Sequence, residues 1–249
     1  TLRRQPGFTL LSVVVLGVAI GLNTSLFTVF AGLALRPMAG LTDADRVVTV
    51  SGMSYPEFRY LATESKMLTS LSATRTSSVS LEAAGDVRST TMYAVSGNYF
   101  SMLGVRMEHG RGFRADEDRE GAPHADVVLS YRLWQTRFDA NPAIVGAPVR
   151  LNDAAYTVVG VAARDFTGPD ASMALWVPIA SLPVLRPHDP GERDLLTTAS
   201  DCCVDVVGRL AAGVSPSQAE ADLQVLSDRF RADTSQLPRP ITGDGTQFL

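Results

Sequence analysis

No charged side chain occurs between Arg4 and Arg36, and that gap constrains the chain more than any other feature. Within it, residues 8–35 read FTLLSVVVLGVAIGLNTSLFTVFAGLAL and are mostly apolar. A bilayer core of about 30 Å takes roughly 20 helical residues. As one helix the stretch would run roughly 42 Å, enough to span with some length left over. Pro37 then makes a natural stop, because it cannot extend the backbone ladder. A cleaved secretory signal has an apolar core of about 7–15 residues. This one is longer, although Gly32-Leu33-Ala34 offers a small-x-small cleavage site, and Arg3-Arg4 before Gln5-Pro6-Gly7 makes a poor twin-arginine signal. A buried soluble helix seldom runs so far without a charge. The reading is a transmembrane helix over 8–35 behind a cytoplasmic flank, 1–7. Arg3 and Arg4 before the span, against Arg36 after it, put the remainder outside the cell membrane.

Inside the span Gly17, Gly21 and Ser25 recur every four residues on one face. Small residues at that spacing let a second helix approach closely, and Asn23 in mid-membrane calls for a polar partner. These four residues are the candidate helix-packing face. Glycine is also simply common in membrane helices, so the bland reading stands beside it.

Composition closes off several functions. The 249 residues carry 22 basic and 26 acidic side chains, a net charge of −4 that is not a nucleic-acid footprint. Lys66 is the only lysine and lies in Glu-Ser-Lys-Met, so no Walker loop is present. Cys202 and Cys203 are adjacent and cannot frame a disulfide scaffold. His109, His124 and His188 share no ligand spacing. The acidic run from Asp116 to Gly121 resembles the opening of a calcium loop, but Val127 stands where the closing Glu belongs. No G-x-S-x-G elbow and no G-x-G-x-x-G fingerprint occur. No catalytic residue, metal ligand or cofactor follows, and the expectation is that the chain is not an enzyme.

Beyond Arg36 the pattern predicts an α+β domain. Strands are expected at 47–50, 71–82, 87–95, 126–129, 149–151, 156–161, 175–177 and 203–210. Ala84-Gly85-Asp86 and Asn152-Asp153 read as hairpin turns, and 183–194 reads as a polar, proline-bearing loop. Ser54 with Glu57 and Ser215 with Gln218 are capping boxes, and Ser130 caps a helix through Phe138. A short helix is expected at 98–103, ended by Gly104. Ala219, Leu223, Leu226 and Phe230 form one apolar helix face. The irregular order of strands and helices favours a mixed or antiparallel sheet over a doubly wound one.

Taken together these residues resemble a known family. The signs begin with Arg3-Arg4-Gln5-Pro6-Gly7-Phe8-Thr9, Gly21-Leu22-Asn23-Thr24 and Leu35-Arg36-Pro37. Ser54-Tyr55-Pro56-Glu57-Phe58, Val95-Ser96-Gly97-Asn98-Tyr99-Phe100, Leu103-Gly104-Val105 and Gly110-Arg111-Gly112-Phe113 come next. Val128-Leu129-Ser130-Tyr131 with Trp134 and Phe138, Asn141-Pro142, Ile144-Val145-Gly146, Tyr156-Thr157-Val158-Val159-Gly160-Val161, Trp176-Val177-Pro178 and Val207-Gly208-Arg209-Leu210 with Gly213-Val214 complete the series. They are similar to the MacB/FtsX-type ABC transporter permeases, specifically the MacB-like periplasmic core domain of the duplicated-permease bacterial subgroup.

The resemblance implies a core domain over 36–235. Its Porter-like α/β subdomain would take about 45–100 and 195–235, and an inserted Sabre-like subdomain about 101–190. Residues 236–249 would be a linker toward a further span that this partial chain lacks. It implies a separate ABC ATPase subunit, a second permease copy or half, a periplasmic adaptor as a further partner, and contact with membrane lipid. The implied place is the inner (plasma) membrane with the main domain periplasmic. The implied function is mechanotransmission, in which ATP-driven motion is relayed outward for export or extraction of a substrate. An alternative in the same family is an FtsX-like regulatory scaffold that activates an exterior cell-wall enzyme.

Overall fold

The computed structural model describes residues 15–18, 20–21, 43–83, 85–118, 124–168, 174–199 and 204–234. Residues 1–39 and 40–249 form two separate units. In the first, residues 15–18 and 20–21 are helical, with Val15, Leu16, Val18 and Ile20 each more than half exposed. Among the described residues no helix is long and apolar enough to cross a membrane. Most of the expected span lies outside the described residues, as does the 236–249 segment.

The second unit runs β1 (Val47–Met53), α1 (Tyr55–Glu64), β2 (Leu68–Ala83), β3 (Asp86–Val95), α2 (Tyr99–Leu103) and β4 (Met107–Gly110). It continues with β5 (Asp126–Leu129), α3 (Tyr131–Arg137), β6 (Pro148–Leu151), β7 (Ala154–Ala162) and β8 (Leu175–Pro178). Two short helices, α4 (Leu182–Leu185) and α5 (Pro190–Arg193), precede β9 (Val204–Leu210) and α6 (Pro216–Thr234).

The nine strands among the described residues belong to one mixed sheet, and β2 is the element that organises it. Its first half pairs with β9, from Leu68 against Leu210 to Thr74 against Asp205, and β9 pairs in turn with β1. Its second half leaves β9 and pairs with β3, from Thr74 against Val95 to Ala83 against Asp86. Leu81 and Glu82 also meet Leu151 and Arg150 of β6. The pairings β2–β3, β3–β8, β8–β5, β5–β7, β7–β6 and β6–β2 therefore close a ring of six strands. Closure removes exposed strand edges from that part of the sheet.

Alternation along the ring strands sorts side chains to two apolar sides. Val79, Leu81, Met92, Ala94, Val127, Leu129, Leu151, Val158, Leu175 and Val177 share one buried cluster. That cluster is continuous with Phe58 and Leu61 of α1 and with Ala219, Leu223 and Leu226 of α6, the two helices over the β1–β9–β2 layer. Tyr93, Val95, Val128 and Trp176 point the other way, into a second cluster with Tyr99, Phe100, Phe113 and Phe166. A strand covered on both faces reads as an unbroken apolar run, which is why Val127-Val128-Leu129 and Leu175-Trp176-Val177 show no polar alternation.

Local signals hold where they are short-range. Ser54 and Ser130 accept the N–H of Glu57 and Leu133 at 3.2 and 3.1 Å, and Ser215 and Gln218 exchange a reciprocal pair. Gly104 ends α2 in the left-handed region at φ 68°. Asn152 and Asp153, at φ 46° and 68°, make the two-residue turn between β6 and β7. Two expectations change. The stretch 183–194 is not a plain loop: it takes in most of α4, with Leu185 buried, and Asp189 caps α5 by accepting the Gly191 N–H. Strand β4, absent from the sequence reading, pairs with β7 at the sheet edge.

Candidate functional site

Among the described residues, one group of histidine, aspartate and glutamate side chains comes together, and the other two histidines lie elsewhere. The His109 ring packs edge-on to Trp134 at 5.0 Å, and His188 lies on an open groove. Among the described residues no histidine ring makes a hydrogen bond. His124 does come near Glu117 and Asp126, with one potential ligand atom from each within 4.8 Å of the others. Spacing along the sequence does not reveal this group, because Glu117 stands several positions before His124 and Asp126 and only the fold brings them together.

A guanidinium already serves as the cation there. Glu117 is buried, its Oε1 pairs with Arg111 Nη2 at 2.8 Å, and its Oε2 accepts from Arg111 Nη1 and the Arg114 N–H at 2.9 and 3.0 Å. Asp126 stands 3.7 Å from the same Arg111. Burial, then the Glu117 charge, pushes its carboxyl above the ordinary aspartate range. The cluster is an ion-pair network that fixes the segment 110–118, called the strap below.

The strap crosses the rest of the domain at near-contact of backbones. A Cβ on Gly97 would stand 2.9 Å from Arg114 C and would overlap its carbonyl oxygen. One on Gly160 would stand 3.0 Å from Arg111 C, and one on Gly110 would stand 2.9 Å from Gly160 Cα. Gly112 faces Phe100 Cβ at 2.9 Å by the same construction. Such distances admit only glycine. Four glycines that entered the sequence reading as family signs thus have one physical role, seating the strap on β7 and on the start of α2.

Ser96 and Asn98 flank Gly97 and tie the same place to β2. Ser96 Oγ accepts the Ala73 N–H at 2.9 Å, and the Ser96 N–H reaches Ala73 O at 2.9 Å. Asn98 Nδ2 donates to Leu71 O and Ser70 Oγ at 2.8 and 3.0 Å. Ala73 and Thr74 are where β2 passes from β9 to β3. This junction between the β1–β9–β2 layer and the ring is the candidate functional site. Asp118 completes it from the strap: one carboxylate oxygen accepts the Gly97 N–H at 3.3 Å, the other the Ala180 N–H at 3.1 Å. Burial raises its pKa to about 6, against the two N–H bonds and the Arg59 charge, which act to lower it.

At the far end of β2 an open groove of about 810 Å³ is lined by Ser78, Ser80, Asn152, Arg186, His188 and Asp189. Its polar groups are mostly engaged. Asn152 satisfies both backbone groups of Ser80, at 2.8 and 3.0 Å, and Arg186 donates to Ser78 O at 3.0 Å. Val87 and Val184, 61% and 55% exposed, stand on the hairpin tip and on α4. The groove presents a contact surface and not a chemical pocket.

Of the candidate helix-packing residues, Gly17 and Gly21 are helical and exposed, and a Cβ on either would meet nothing within 4 Å. Asn23 and Ser25 lie outside the described residues, as do Cys202 and Cys203.

Solved structures share the fold, two of them exterior domains of transporters. One is the periplasmic region of MacB from Actinobacillus actinomycetemcomitans, at 16% identity and TM-score 0.59, covering 80% of this chain and 96% of that one. The other is the extracellular domain of the noncanonic ABC-type transporter YknZ from Gram-positive bacteria, at 12% identity and TM-score 0.52, covering 74% and 94%. No curated protein matches the chain. The family described as MacB-like periplasmic core domain matches residues 9–226. On that match, over most of its length, the chain belongs to the family of MacB-like periplasmic core domains.

Proposed function

We propose that the chain is the exterior core of an ABC-type transporter permease with its first membrane helix, and that it relays ATP-driven motion of a separate ATPase to the outer side of the membrane. The observation that carries this reading is the family match over residues 9–226. The likeness of the fold to the MacB and YknZ exterior domains supports it. An uncharged stretch from 8 to 35 would be the membrane helix, with Gly17, Gly21, Asn23 and Ser25 facing a second permease copy or half. A domain seated by glycines at one junction and open at its far groove is suited to moving and touching. Its work would be export or extraction of a substrate, with a periplasmic adaptor as a further partner. The Porter-like part is assigned to 45–100 and 195–235, which hold β1, α1, β9 and α6. The Sabre-like part is assigned to 101–190, which supplies four of the six ring strands, namely β5, β6, β7 and β8.

The test is affinity isolation of the membrane protein from mild detergent, with its partners identified by mass spectrometry. The reading predicts an ABC-type ATPase in stoichiometric amount. Recovery of a cell-wall hydrolase would favour the FtsX-like scaffold, and recovery of neither would refute both.

A further inference from the structure

Glu117, His124 and Asp126 are the one place among the described residues where an imidazole and two carboxylates meet, one donor atom of each within 4.8 Å of the others. Glu117 ends the 3-10 turn Ala115–Glu117 of the strap, and Asp126 opens β5. The Thr157 N–H donates to Ala125 O at 2.7 Å, so the ladder with β7 begins ahead of Asp126. His124 and Asp126 are two positions apart along that extended run, which turns both side chains to one side. An ionised carboxylate offers about four acceptor directions. Glu117 engages Arg111 Nη2, Arg111 Nη1 and the Arg114 N–H, which leaves one direction open on Oε1. Hydrogen bonds of that kind are what orient a carboxylate that ligates a metal. The Asp126 side chain is 14% exposed, yet its carboxylate accepts no hydrogen bond among the described residues and has only Arg111, at 3.7 Å. The exposed His124 ring makes none either. A mostly buried carboxylate without a hydrogen bond calls for a further partner.

We propose that Glu117, His124 and Asp126 bind a divalent transition-metal ion of the zinc type, which ties the strap to β5. One imidazole with two carboxylates is a donor set that zinc accepts, whereas calcium and magnesium take oxygen ligands alone. Three protein ligands leave the fourth tetrahedral position to water or to a group from a partner. Exposed His124 gives the ion a way in from solvent. Arg111 stays on Glu117 as its outer partner, and its charge weakens the hold on a dication. The affinity is therefore micromolar, short of that of a closed structural zinc site. Because the ligands come from two segments, binding adds to the stability of the folded state. The inference stands on this donor geometry and does not depend on the transport reading.

The test is calorimetric titration of the full chain, stripped of metal and held in mild detergent at neutral pH, with zinc chloride. One saturable site per chain is expected, together with a higher Tm in the presence of zinc and no comparable heat from calcium chloride. His124→Ala should weaken zinc binding at least roughly tenfold. That side chain is exposed, so its loss leaves the fold intact. Asp126→Asn should act in the same direction, and His188→Ala, in the far groove, should bind zinc as the wild type does. No saturable binding by the wild type would overturn the site. An affinity unchanged in His124→Ala would overturn it too and place the ion elsewhere, as at Cys202 and Cys203.

Discussion

Replacing Gly160 by alanine is the sharpest steric test of the strap. Gly160 lies in β7 with Gly110 as its cross-strand partner, and its φ is not in the left-handed region, so backbone strain contributes nothing. The new Cβ would stand 3.0 Å from both Arg111 C and Arg111 N and would overlap Arg111 O. Ordinary contact between carbons is at about 3.5–4.0 Å, so the strap backbone has to retreat by roughly 0.5–1 Å. Overpacking of this kind costs about 1–3 kcal/mol. The same retreat strains the Arg111 N–H bond to Val159 O, now 2.9 Å, worth about 1 kcal/mol. Lower entropy of the unfolded chain returns about 0.4–1 kcal/mol. The net loss is about 2–3 kcal/mol, or a Tm lower by roughly 4–12 °C for a domain of this size. Two internal controls come from the same structure. On Gly208 the Cβ meets the end of the Leu68 side chain at 3.1 Å and Leu71 Cγ at 3.7 Å, and on Gly191 it meets nothing nearer than 3.5 Å. Urea unfolding followed by the fluorescence of Trp134 and Trp176 should rank the losses Gly160→Ala, then Gly208→Ala, then Gly191→Ala. A Gly160→Ala variant as stable as Gly191→Ala would refute the close-packed strap.

Other perturbations give separate readings. Arg111→Ala leaves the buried Glu117 carboxylate uncompensated and should cost about 3–5 kcal/mol, measured in the same urea titration; a loss below about 1 kcal/mol would show that Glu117 is not held by the pair. Ser130→Ala removes the cap that accepts the Leu133 N–H and should cost about 1 kcal/mol, with Ser130→Gly milder. The folded-state pKa of Asp118 lies above its unfolded value, at about 6 against 3.8. Its stabilising share is therefore complete below about pH 4 and lost as pH rises through about 6, up to about 3 kcal/mol. Asp126, raised in the same sense, adds to it. Tm should rise from pH 7 to pH 5, and a monotonic fall over that range would contradict the raised pKa of the half-buried Asp118.

What was legible in the chain follows the range of the interaction. The β2–β3 hairpin, the Asn152-Asp153 turn and the serine caps are decided by residues a few positions apart, and they stand where the pattern placed them. Strand β4 escaped notice because Met107-Glu108-His109-Gly110 has no apolar alternation, and only the neighbouring β7 edge makes it a strand. Ring closure rests on Leu81 and Glu82 meeting Leu151 and Arg150, some 70 positions on, and no local signal encodes such a pairing. Leu182 and Leu185 were hidden among prolines, so their burial went unread. At the junction Gly97, Gly110, Gly112 and Gly160 were visible as signs of kinship, but why each must be glycine depends on a backbone from another segment. Asp118 gave no signal at all, because two distant N–H groups define its role.

The claim at the centre is that this exterior domain moves when an ATPase on the other side of the membrane binds nucleotide. Spin labels at exposed Val87, one on each of the two permease halves of the assembled transporter, measure that motion by pulsed dipolar spectroscopy. Adding ATP should shift the interlabel distance distribution by several Å and hydrolysis should return it. Distributions that superimpose with and without ATP, in a complex shown to hydrolyse it, would contradict the account.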